Sequence, residues 1–148
     1  VLFRSWILLR LITSFCGVFG FSIMFNSPVR LAATAAGIGA IANTLRLEMV
    51  DMTAIPPAGA AFVGALTAGI LASLIKSKVG YPRISLTVPS IVIMVPGMYL
   101  YRGFYNLGIM SLGPAASWFA SAILIIAALP LGLIFARILT DETFRYCT

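Results

Sequence analysis

Few side chains in this 148-residue chain are suited to handling a small molecule, and the most suggestive stand around prolines. Thr87-Val88-Pro89-Ser90-Ile91-Val92-Ile93-Met94-Val95-Pro96-Gly97 is an apolar run interrupted by two prolines and a glycine. Pro89 and Pro96 each remove a backbone donor and obstruct the carbonyl one turn back, and Gly97 loosens the chain further. Arg102 follows within Tyr99-Leu100-Tyr101-Arg102-Gly103, where a guanidinium would suit a carboxylate. Freed backbone groups close to a cation can hold a small charged solute. The plainer reading of Arg102 is a snorkelling side chain flanked by interfacial tyrosines such as Tyr101, and it is the default.

Two amides are weaker candidates. Asn26, before Ser27-Pro28, has the setting of a turn residue. Asn43 lies deeper in an apolar run and is placed to bond across helices or to a substrate, helix-to-helix bonding being the default. Catalytic constellations are missing. The chain has no histidine, so a Ser-His-Asp arrangement and a zinc site lack their ligands. Its four acids sit in two polar segments, Glu48/Asp51 and Asp141/Glu142, which leaves no paired carboxylates for acid–base work. Cys16 and Cys147 are far apart and imply no disulfide. Neither an enzyme nor a cofactor is expected.

The elements that position these residues are set by composition. The chain is 61% hydrophobic and only 9% charged, whereas a soluble domain carries about 25% charged residues. It belongs in a bilayer. The net charge of +6 does not point to nucleic acid, because the basic residues stand singly at the ends of apolar runs. About twenty apolar residues cross a bilayer, and five stretches qualify: roughly 6–25, 29–47, 58–75, 84–107 and 114–138. The expected fold is therefore all-α and integral to the membrane, a single transmembrane domain of five helices with the fourth broken at Pro89 and Pro96-Gly97. Lipid offers no partner to backbone polar groups, so such a break persists only beside protein or a water-filled cavity. Transporters place their substrate sites at breaks of this kind. The chain opens on Val1, so its natural start is expected to lie upstream.

Five spans put the termini on opposite sides. One side then holds Arg30, Lys76, Lys78, Arg83, Arg137 and Arg145, and the other Arg4, Arg10, Arg46 and Arg102. The excess marks the first side as cytoplasmic: N-terminus outside, C-terminus inside. Arg10 reads most simply as snorkelling. The third span carries two columns of small residues, Ala61-Ala65-Gly69-Ser73 and Ala60-Gly64-Ala68-Ala72, each lying on one face. Columns of this kind let another helix backbone approach closely.

With the spans in place, the chain resembles the threonine/serine exporter family in its five-span, small-subunit form, which also occurs as the C-terminal half of ten-span members. The resemblance rests on Phe19-Gly20-Phe21-Ser22-Ile23-Met24-Phe25-Asn26-Ser27-Pro28-Val29-Arg30, the Gly-rich second span ending at Arg46, the small-residue third span, and Pro82 ahead of Thr87-Val88-Pro89. It also rests on Ile91 to Gly97, with Ile93 where a further proline is usual. It covers roughly residues 15–137. It implies an exporter of small amino acids (threonine, serine) or dicarboxylates in the cell inner membrane, driven by the proton gradient. It also implies a larger homologous partner that contributes five further spans and a cytoplasmic domain. Two other functions fit the residues as well: a structural or assembly subunit without substrate contact, and a passive channel subunit.

Overall fold

The computed structural model describes residues 2–142, so Arg145 and Cys147 lie outside the described residues. Six helices follow one another: α1 (Leu2–Met24), α2 (Val29–Met52), α3 (Pro57–Val79), α4 (Arg83–Val92), α5 (Gly97–Gly108) and α6 (Leu112–Thr140). Prolines set the starts of four of them. Pro28, Pro56, Pro82 and Pro96 immediately precede the first residues of α2, α3, α4 and α5. A proline is harmless there, because the first N–H groups of a helix have no internal acceptor to lose.

Helix ends are equally local. Asn26 adopts φ 57°, with its N–H on Ile23 O at 2.9 Å and the N–H of Ser27 on Ser22 O at 3.1 Å. That bond pair is a Schellman closure, and asparagine tolerates the left-handed geometry it requires. The end of α5 repeats it around Met110, at φ 61°. Gly80, at φ 76°, closes α3.

Among the described residues four segments are long and apolar enough to cross a membrane: α1, α3, α4 and α5 taken together (83–108), and α6. The expected second span is the helix α2, long enough at 24 residues but not among those four. The reason lies in its position. α2 packs against α1, α3 and α4, and its Ala32, Ala35, Ala36 and Ala42 are fully buried. A helix enclosed by protein needs small residues for close approach more than it needs lipid-soluble ones. α2 also runs past the expected boundary at Leu47, because Glu48 and Asp51 both meet Arg10 on α1. Arg10 is therefore held in ion pairs between two helices and does not snorkel.

The break of the fourth span also differs from expectation. Pro89 does not interrupt α4; it lies buried within the helix. Beside it Thr87 and Ser90 turn their hydroxyls back onto Arg83 O (3.1 Å) and Leu86 O (2.6 Å). Ser90 Oγ also lies 3.0 Å from Ala35 O, pinning α4 to α2. The chain leaves the helix only at 93–96, where short-range bonds from Met94 to Ile91, Val95 to Val92 and Gly97 to Val95 replace the α-helical ladder. The break changes the neighbours of the span: α4 packs on α2, α3 and α1, whereas α5 packs on α6.

Candidate functional site at the helix break

The break is built around Met94, whose side chain is fully buried between α2 and α3. Gly64 on α3 makes room for it, since a Cβ there would come within 3.2 Å of both Met94 Sδ and Arg46 Cβ. Ile93 turns the opposite way and packs against α1, where a Cβ on Gly17 would stand 2.9 Å from Ile93 Cδ1. The turn is thus gripped from both sides by helices that carry glycine at the point of contact.

Arg46 on α2 reaches this turn. Its Nη1 donates to Met94 O at 3.2 Å, and its Nε is buried without a hydrogen-bond partner among the described residues. No carboxylate of those residues pairs with it. Gly64 lies seven residues into α3 and Arg46 six before the end of α2, so the guanidinium sits roughly 10 Å along each helix from the shared α2–α3 end. At bilayer depth an unpaired cation costs about 3 kcal/mol or more, so such residues face cavities, partners or anions. Within one turn of α2, Asn43 Oδ1 and Thr44 Oγ1 are likewise buried without partners. Each unsatisfied group costs about 1–3 kcal/mol.

The residues singled out from sequence fall into three groups. Pro96 is buried at the break and Gly97 begins α5 beside it, exposed, with no atom within 4 Å of a Cβ placed there. Pro89 and Asn43 belong to the packed interior; Asn43 Nδ2 donates to Ser14 Oγ on α1 at 2.9 Å. Asn26 and Tyr101 are exposed, the first as a helix cap and the second on the outer face of α5. Arg102 is also exposed, and its guanidinium lies 4.9 Å from the centre of the Trp118 ring on α6. It is held as a cation–π pair on the outside of the α5–α6 contact. Tyr99, one turn earlier, packs edge-on to the same ring at 5.5 Å.

Arg46 is the functional candidate that sequence reasoning passed over. It stands one residue before Leu47 and two before Glu48 and looks like the mark of a span's end. The available signal was that α2's polar tail could continue as helix, which would draw Arg46 inside.

The small-residue columns of α3 divide between two neighbours. Ala65 and Gly69 face α6, where a Cβ on Gly132 would meet Ala65 Cβ at 2.8 Å and one on Gly69 would meet Ala136 Cβ at 2.5 Å. Ser73 continues this face, its Oγ 3.1 Å from Thr140 Oγ1, and Ala61 is fully buried in the same column. Gly64, in the other column, faces α2 and the break.

The sequence model of the threonine/serine exporter family (Threonine/Serine exporter, ThrE) matches residues 10–139. The chain belongs to the threonine/serine exporter family. Comparison with curated proteins and with solved structures returned no significant match. Membership makes this a multi-pass membrane protein of an amino-acid-export class. The matched region takes in Arg46, the break and, of the α3–α6 contact, Ala61, Ala65, Gly69, Ser73, Gly132 and Ala136.

Proposed function

We propose that this chain is a subunit of a secondary-active exporter of small amino acids or dicarboxylates in the cell inner membrane, and that the break in its fourth span forms part of the substrate site. Arg46 receives the substrate carboxylate, with the backbone groups freed at 93–96 and the first turn of α5 beside it. The observation that carries this reading is the cation–carbonyl contact between Arg46 and Met94: a guanidinium inside the bundle, without an acid, at the place where a span unwinds. Pro96 and Gly97 shape the turn, while Asn43, Arg102 and Tyr101 stand outside the contact.

In this reading α2 counts as a fifth span in a single transmembrane domain, the N-terminus lies outside and the C-terminus in the cytoplasm. The proton gradient drives export, and the coupling acids come from a larger five-span partner with a cytoplasmic domain. The reason is local: Glu48, Asp51 and Asp141 are already committed to ion pairs, and Glu142 is exposed past the end of α6. A structural or assembly role without substrate contact is the second reading, favoured by the complete burial of Met94, which makes the break look like packing.

Export of labelled threonine and serine from cells or vesicles carrying the chain with its neighbouring larger homologue tests this. Arg46→Gln and Gly97→Leu should each abolish most export while the complex still assembles. Normal export in both variants would leave the assembly reading in possession.

A further inference from the structure

At the opposite end of α3 from the break lies a cleft of about 880 Å³ between α3, α4 and α6. Its rim is basic. Lys76 Nζ, Arg83 Nη1 and Arg137 Nε stand 3.3, 3.1 and 3.6 Å from the carboxylate of Asp141. Three cations from three helices converge on one anion, and Arg83 Nε remains buried without a hydrogen-bond partner. Lys78 is exposed nearby on α3, and exposed Glu142 follows Asp141.

Below the rim the walls turn apolar. The cleft runs along α3 from Lys76 down to Gly69, seven residues or roughly 10 Å of helix. Leu133 and Ile134 on α6 and Ile84 on α4 line it. Ile84 and Ile134 are 67% and 46% exposed, so the groove opens on the outer surface of the bundle. Its origin is the break itself, which sends α5 onto α6 and leaves α4 on α2 and α3.

A polar amino acid would gain nothing from an apolar trough of this length. A molecule with an anionic head and a hydrocarbon chain matches both parts. We propose that this cleft binds one anionic phospholipid, its phosphate on Lys76, Arg83 and Arg137 and an acyl chain along Ile84, Leu133 and Ile134. Asp141 holds the cations together while the site is empty and competes with the phosphate for them. The inference is independent of the substrate site at Arg46.

The test is native mass spectrometry of the purified chain in detergent, with phosphatidylglycerol or phosphatidylcholine added at equal concentration. One phosphatidylglycerol should be retained in preference to phosphatidylcholine. Lys76→Gln should weaken that preference about fivefold, the loss expected for one basic contact. Asp141→Asn, which removes the competing charge, should strengthen retention, and Arg102→Gln, at the other end of the molecule, should leave it unchanged. Millimolar inorganic phosphate should not displace the lipid, because it lacks the chain. Equal retention of the two lipids, or no response to either cleft variant, would overturn the proposal. Displacement by phosphate alone would reduce it to a free-anion site. Loss of retention only when the larger homologue binds would show that a protein face covers the groove instead.

Discussion

Arg46 Nη1 donates to Met94 O across 3.2 Å, linking the interior helix α2 to the turn that splits the fourth span. One residue supplies a cation and the other an accepting carbonyl, yet neither is paired with an acid among the described residues. A cation placed this way stabilises nothing by itself, because burying charge without a counter-ion is unfavourable. Four expectations about named side chains follow from the structure.

Arg46→Met should leave the thermal stability of the purified protein equal or slightly higher, since it removes a poorly compensated charge at constant volume. Export should nevertheless collapse, and Arg46→Lys should not restore it, because an ammonium cannot reproduce bidentate carboxylate binding. Melting curves and transport assays on the same preparations check both halves. A large drop in melting temperature together with the loss of export would instead make Arg46 a structural residue.

Gly132→Ala should destabilise the bundle by about 1–3 kcal/mol, the usual effect of overpacking. The added methyl would meet backbone, Phe62 O at 2.6 Å and Leu66 N at 3.0 Å, and backbone cannot step aside as a side chain can. Gly97→Ala meets open space and should fold as well as the parent. Denaturant titration in detergent separates the two.

Arg102→Gln should have a small effect. Its exposed contact with Trp118 is worth about 0.5–1 kcal/mol. Export measured beside Arg46→Gln should remain near the parent level, and a loss equal to that of Arg46→Gln would return the carboxylate site to α5.

Acid should loosen the α3–α4–α6 end selectively. Burial pushes the Asp141 carboxyl up, but the hydrogen bond from Lys76 and the charges of Arg83, Lys76 and Arg137 outweigh it and hold the group below its ordinary value. A carboxyl lowered on folding stabilises the fold fully above its unfolded value, about 3.9, and loses that contribution as pH falls through the folded one. Asp141→Asn should therefore flatten the acid limb of a stability-versus-pH curve. Hydrogen exchange at the ends of α3 and α6 should report the same loss in the parent below about pH 4.

Much of the architecture was legible along the chain. Apolar length announced a bilayer, Asn26 had the setting of a turn, and Pro96-Gly97 marked the break, whereas it is the structure that puts prolines 28, 56, 82 and 96 at helix starts. Where the reading missed, the cause was a partner distant in sequence. Pro89 looked like a breaker, but it lies buried within α4, whose Ser90 hydroxyl stands 3.0 Å from Ala35 O on α2. Arg10 looked solitary until α2 brought Glu48 and Asp51 to it. Arg102 lies exposed, as its default reading had it, and what the sequence did not show is the Trp118 ring it rests on.

The sequence by itself determined that this is a helical membrane protein and which family it joins, because hydropathy and backbone-restricting residues act locally. Only the tertiary structure decided that α2 is the enclosed helix, that Arg46 and not Arg102 meets the break, and that three basic residues gather around Asp141. Those outcomes depend on which helix faces are brought together. A glycine at 64 or 132 permits a close approach, but the neighbour that fills the space comes from elsewhere in the chain.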